Sequence, residues 1–211
     1  MILISIVEAA GWPIWPLIFC SILVLALIAE RFYMLQPDKV IPKGLLDEVI
    51  NAVKERYPNK ASLDQLASGS SQGELLAHVL LLYASDPDQN ADSMRSGLEA
   101  HGREVAHRLE RYLPAIGTIA SAAPLMGLLG TVIGMIEIFG SQAPGVANPA
   151  ELAHGISVAL YNTAFGLIVA IPSLAFWRHF RHTVDEYVVQ LESQSDALIK
   201  HLCQTKPRIS S

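Results

Sequence analysis

The chain has 211 residues, 51% hydrophobic and 17% charged, with a formal net charge of -5 and a mean hydropathy of +0.35. That balance excludes an ordinary water-soluble domain, and mild acidity without a basic stripe excludes nucleic acid as a partner. Three windows free of Asp, Glu, Lys and Arg, residues 9–29, 112–136 and 152–177, each reach the roughly 20 residues that cross ~30 Å of hydrocarbon as a helix.

In chain order, residues 1–11 lack the basic start of a cleaved signal and carry Glu8, so they read as a retained periplasmic segment. Residues 12–33 form transmembrane helix 1, with Trp12 and Trp15 at the outer interface and Glu30 and Arg31 at the inner one. Its centre, "PLIFCSILVLALIA", is nearly solid large aliphatic side chains, which predicts a lipid-facing helix. Residues 34–111 read as a cytoplasmic helical domain. "PKGLLDEVINAVKERYP" puts Leu45, Leu46, Val49, Ile50 and Val53 on one stripe between Pro42 and Pro58. "SQGELLAHVLLLYASDP" opens with Ser71 three residues before Glu74, a capping-box spacing, and stops at Pro87. Gly69 with its serines, and "DPDQNAD", read as loops. From Asp92, the spacing of Met94, Leu98, Val105, Leu109 and Tyr112 predicts one long helix entering the membrane, kinked at Pro114.

Transmembrane helix 2 covers residues 112–139, a periplasmic loop 140–150, transmembrane helix 3 residues 151–177, and a cytoplasmic helix and tail 178–211. All 15 Lys and Arg fall between Arg31 and Arg111 or between Arg178 and Arg208, which places both blocks in the cytoplasm and the N-terminus outside. On helix 2, Ala120, Pro124, Gly127, Thr131 and Gly134 recur at steps of four and three, with Gly130 beside them. On helix 3, Ala159, Thr163, Gly166, Ala170 and Ser173 repeat the device. Hydrocarbon tails are as apolar as leucine, so membrane helices associate by close backbone approach, and both small-residue stripes should face protein. Counted from the external loop, Thr131 and Thr163 lie at depths of roughly 14 and 20 Å, about one helical turn apart. One copy leaves more small-residue surface than it covers, so further copies or a different subunit should cover the rest.

Proton translocation through hydrocarbon needs an ionisable group at depth, and no span has one at its centre. Glu137 and His154 sit near the external ends, and Asn162 lies beside Thr163. A conducting assembly must therefore draw its carboxylate from a partner. The threonines line a polar path or a partner interface, or bond the carbonyl one turn back. Arg178, His179, Arg181 and His182 form a basic inner-edge cluster suited to lipid headgroups. Cys20 and Cys203 are far apart and suggest no disulfide; no metal set, cofactor motif or nucleophile–base pair is visible, so the chain does not read as an enzyme.

"WPIWPLIFCSILVLALIAERF", "IASAAPLMGLLGTVIGM" and "GISVALYNTAFGLIVAIP" together resemble the MotA/TolQ/ExbB family of proton-channel subunits, the ExbB/TolQ branch most closely. The resemblance implies an all-α integral membrane protein, three transmembrane helices with long cytoplasmic extensions, assembling as a homo-oligomeric, pentameric ring. It implies two enclosed copies of an ExbD/TolR-like single-span partner that supplies the membrane aspartate, with Thr131 and Thr163 beside it and a TonB-like periplasmic effector. Val158 stands where many members have glutamate, which argues against a ring-borne carboxylate. The expected role is an ExbB-like motor subunit in the bacterial inner membrane. The alternatives are a TolQ-like subunit serving outer-membrane integrity and division, or a scaffold that conducts nothing.

Overall fold

The computed structural model describes residues 11–141, 149–205 and 207; the expectations for residues 1–10 and for most of the external loop lie outside them. Eight α-helices and no strand occur among the described residues: α1 (Ile14–Met34), α2 (Pro37–Val40), α3 (Leu45–Glu55), α4 (Lys60–Gly69), α5 (Ser71–Ser85), α6 (Ala91–Leu109), α7 (Leu113–Ser141) and α8 (Pro149–Thr205). α1, α7 and α8 are long and apolar enough to cross a membrane. The chain divides into a membrane unit, Met1–Arg31 with Tyr112–His179, and an extramembrane unit, Phe32–Arg111 with Phe180–Ser211.

In the membrane unit, α1 departs from a uniformly lipid-facing helix. Ile14, Leu17, Val24, Ile28 and Arg31 are buried at helical spacing, while Trp15, Phe19, Ile22 and Leu25 are exposed on the other faces. A stripe of large aliphatics thus packs inward where no small-residue stripe marks it. Arg31 ends that face: its Nη2 donates to Glu30 Oε1 at 2.6 Å and its guanidinium stacks 5.3 Å from the Tyr112 ring centre.

The predicted continuous helix into the second span is interrupted. α6 ends at Leu109, α7 begins at Leu113, and Tyr112 between them has φ +67°. Inside a continuous helix Pro114 would withhold a donor from the Glu110 carbonyl and crowd the preceding turn. A restart at Leu113 puts the proline in a first turn, where the missing N–H is harmless. The left-handed conformation of a non-glycine residue is the local consequence.

The extramembrane unit is built around α5. Leu75, Leu76, Ala77, Val79, Leu80 and Tyr83 are all buried, and α3, α4 and α6 pack on it. Val49, Val53, Tyr57, Leu63 and Met94 join the core, closed by Leu198, Ile199 and Leu202 from the end of α8. The Tyr57 hydroxyl donates to the Leu80 carbonyl, and burial pushes its pKa up.

α4 has no counterpart in the sequence reading. Asn59 caps it, Oδ1 accepting from Ser62 N at 2.8 Å, and it extends through Ser68 and Gly69. Only Ser70 is left between α4 and α5, and its Oγ accepts from Gly73 N at 3.0 Å. The cap is therefore one residue ahead of Ser71, which is already helical. This tight junction needs Gly73, because a Cβ there would run into the Leu66 carbonyl.

Candidate functional site

α7 and α8 meet along an antiparallel seam that their glycines define. A Cβ built on Gly127 would stand 2.7 Å from the Asn162 carbonyl oxygen and 3.0 Å from Thr163 Cα; one on Gly166 would stand 2.6 Å from the Ala123 carbonyl oxygen. Gly130 lies against the Asn162 side chain, and Gly134 faces Ala159 at an ordinary 3.6 Å. Toward either end the seam continues with Gly117 against Trp177 and Gly155 against Ile138. The numbering rises on one helix as it falls on the other, as in a hairpin. Backbones this close exclude any side chain at Gly127 or Gly166, which is why the sequence accepts residues that weaken an isolated helix.

Ala120 and Ala123 on α7 and Ala159, Ala170 and Ser173 on α8 are buried in the unit, and Pro124 is half-buried. The Ser173 hydroxyl donates to the Val169 carbonyl at 2.6 Å, so this buried serine is satisfied within its own helix. Thr131 and Thr163 are both half-buried. The Thr131 hydroxyl donates to the Leu128 carbonyl at 2.7 Å, which leaves the oxygen lone pairs able to accept. Thr163 Cα faces Gly127, one turn from Thr131 along α7, roughly 6 Å of rise.

The side of the seam on which they lie follows from helix geometry. At ~100° per residue, Thr131 sits about 70° round α7 from the middle of its buried stripe, and Thr163 about 70° round α8 in the same sense. Antiparallel right-handed helices reverse both direction and rotation, so equal offsets fall on the same side. The two threonines flank one edge, together with Ala120, Pro124 and Ala170. The other edge carries Ile119, Phe165 and Val169 and is apolar, without a hydroxyl.

Asn162 does not join the threonines. It is 1% exposed, packed into the seam against Gly130, because adjacent helical residues point ~100° apart. Glu137 is exposed near the far end of α7, and the side chains of His154 and Val158 lie outside the described residues. At the other end, the Arg181 guanidinium is held by Glu110, 3.1 Å from Nη1, and by Asp185, 3.5 Å from Nε. His182 Nε2 lies 3.3 Å from Glu186 Oε1. These two side chains have carboxylate partners in the extramembrane unit; Arg178 and His179 belong to the end of the membrane unit and are exposed. The ends of the seam at Gly117 and Gly155 were missed from sequence, although the glycines themselves marked them.

A three-span chain with a glycine-lined hairpin and no ionisable residue at the middle of any span has counterparts among known proteins. Residues 61–193 match the MotA/TolQ/ExbB proton channel family. The chain is 30% identical over 188 residues to the biopolymer transport protein exbB1 of Vibrio cholerae, covering 88% of this chain and 82% of that protein. It is 30% identical over 176 residues to a putative ExbB-like biopolymer transport protein of Synechocystis, covering 82% of each. It is 34% identical over 207 residues to ExbB of Pseudomonas putida, covering 92% of this chain and 56% of that longer protein. The seam sequences, the three spans and these matches agree: the chain belongs to the MotA/TolQ/ExbB proton channel family.

Proposed function

We propose that this protein is the ring-forming, ExbB-like subunit of a proton-channel motor in the bacterial inner membrane. It works with an ExbD/TolR-like single-span partner and delivers proton motive force to a TonB-type periplasmic effector. The observation that carries this reading is the hydroxyl-bearing edge at Thr131 and Thr163, on a seam with no carboxylate of its own. A proton crossing hydrocarbon needs an ionisable carrier, so the partner's helix brings the acid, and the two threonines offer it oxygen lone pairs as it passes. Small Ala120, Pro124 and Ala170 on that edge let a foreign helix approach closely.

Several copies of the chain surround the partner, so that each threonine-bearing edge faces the enclosed helix while Leu125, Leu129 and Ile168 face lipid or neighbouring copies. The N-terminus lies in the periplasm, and the extramembrane unit and C-terminus in the cytoplasm, because every Lys and Arg lies in or beside that unit. Arg178 and His179, with Arg181 and His182 beyond them, sit at headgroup level on that side. The chain itself performs no covalent chemistry.

The experiment is to make Thr131→Val and Thr163→Val, singly and together. Valine keeps the shape and removes the hydroxyl. The double variant is expected to co-purify with its partner at normal yield while energy-dependent uptake falls at least ~10-fold, the rate effect of ~1.4 kcal/mol. Undiminished uptake with an intact complex would leave only the scaffold role.

A further inference from the structure

α5 and α6 are joined by a feature the channel reading does not use. His78, midway along α5, and His101, midway along α6, stack with ring centres 4.4 Å apart and planes inclined by 14°. Glu74, one turn before His78, reaches across the same contact. Its Oε1 is 3.2 Å from His101 Nε2, and its other oxygen pairs with Arg108. Glu104 Oε2 lies 3.9 Å from His101 Nδ1. His78 stacks on His101, and His101 in turn lies within reach of Glu74 on α5, so the imidazole pair bridges the two helices.

We propose that the His78–His101 stack is an acid-sensitive latch that holds α6 against α5 while at most one of the two rings is charged. The charges around it set the limit. His101 has the Glu74 and Glu104 carboxylates beside it. Glu74 is shared with Arg108, so His78 has no carboxylate of its own when His101 is already charged. Two imidazolium rings at 4.4 Å repel each other with little water between them. On α8, Asp196 pairs with Arg95 of α6 and with Lys200, Glu192 lines the same groove as Glu99 and Arg103, and the ionic influences on His78 come from His101 and Glu74.

The direction of the pH effect follows. Burial first, then the neighbouring imidazole, holds His78 below the usual histidine value. The stacked state therefore binds fewer protons than the unstacked one. Its stability is fully present above the ordinary imidazole range near pH ~6.5, and is lost as pH falls toward the lowered value. Acid on the side of the membrane that holds this unit loosens α6, the helix that leads in sequence to Tyr112 and the second span. Only the identity of that compartment rests on the proposed topology; the latch itself requires neither partner nor proton flux.

The test is amide hydrogen exchange of residues 91–109 in the full-length protein in nanodiscs, at about pH 7.5 and about pH 5.5, with exchange times scaled for intrinsic rates. The wild type is expected to exchange at least about fivefold faster at the lower pH once so scaled. His78→Phe, which keeps a stacked ring, and His78→Gln, which keeps a hydrogen-bonding group, are each expected to lose that difference. Wild-type protection that does not change with pH, or variants that open with acid as the wild type does, would overturn the latch. Either variant suffices if the other does not fold.

Discussion

In the membrane unit Gly127, Gly130 and Gly166 are buried while Leu125, Leu128, Leu129 and Ile168 lie exposed; in the extramembrane unit Leu76, Leu80 and Leu198 are buried while Gly69 and Gly97 lie at the surface. The inversion teaches what each solvent rewards. Water drives apolar side chains together, so α5 surrounds itself with leucines. Hydrocarbon gives leucine no reason to leave, and α7 and α8 instead gain dispersion contacts between backbones that glycine lets approach. The exposed leucines of the spans are therefore ordinary in lipid, whereas α5 buries Leu75, Leu76 and Leu80 and leaves Leu81 at the surface.

The largest effect that sharpens this contrast belongs to the water-driven core. Leu80→Ala removes a fully buried side chain from the centre of α5, and should destabilise the extramembrane unit by about 3 kcal/mol in denaturant unfolding. A cost below about 1 kcal/mol would mean that the site collapses freely and that α5 is not the centre of the core. A smaller effect discriminates better, because one substitution should act with opposite signs in the two regions. Gly127→Ala forces a methyl group onto the Asn162 carbonyl oxygen and should loosen the α7–α8 hairpin by about 2 kcal/mol. Gly102→Ala, in the interior of α6 with nothing within 4 Å of the added carbon, should stabilise the extramembrane unit by up to about 1 kcal/mol. Denaturant titration of each variant reads both, and equal signs would erase the distinction.

The legible parts of the molecule were those written in periodic patterns. The three spans and the α3 stripe follow from uncharged length and 3.6-residue spacing, the extent of α5 from a capping-box spacing and the stop at Pro87, and the structure has helices there. The seam glycines were visible because a membrane helix has few other reasons to hold them. What escaped detection was decided by single local contacts. Asn59 caps a serine- and glycine-bearing stretch into the helix α4, whose own apolar stripe is short, and Ser70 caps α5 directly after it. Tyr112 accepts a left-handed turn so that Pro114 can open a new helix. Asn162 turned inward although its neighbour Thr163 lies at the edge, a distinction fixed only once the buried arc of α8 is known. Arg181 and His182 pair with Asp185 and Glu186 one turn on, which helical spacing could have shown, whereas Glu110 reaches Arg181 from a distant part of the chain that sequence alone could not place there.

The central claim is that the threonine-bearing edge of α7 and α8 carries protons only against an acidic helix supplied by another protein. Proton flux into liposomes tests it directly, with the purified chain reconstituted alone and together with a single-span partner bearing one membrane carboxylate. The account predicts no flux above empty vesicles for the chain alone, and flux with the partner that the Thr131→Val, Thr163→Val double variant suppresses. Full flux from the chain by itself, or flux with the partner that ignores the loss of both hydroxyls, would contradict it.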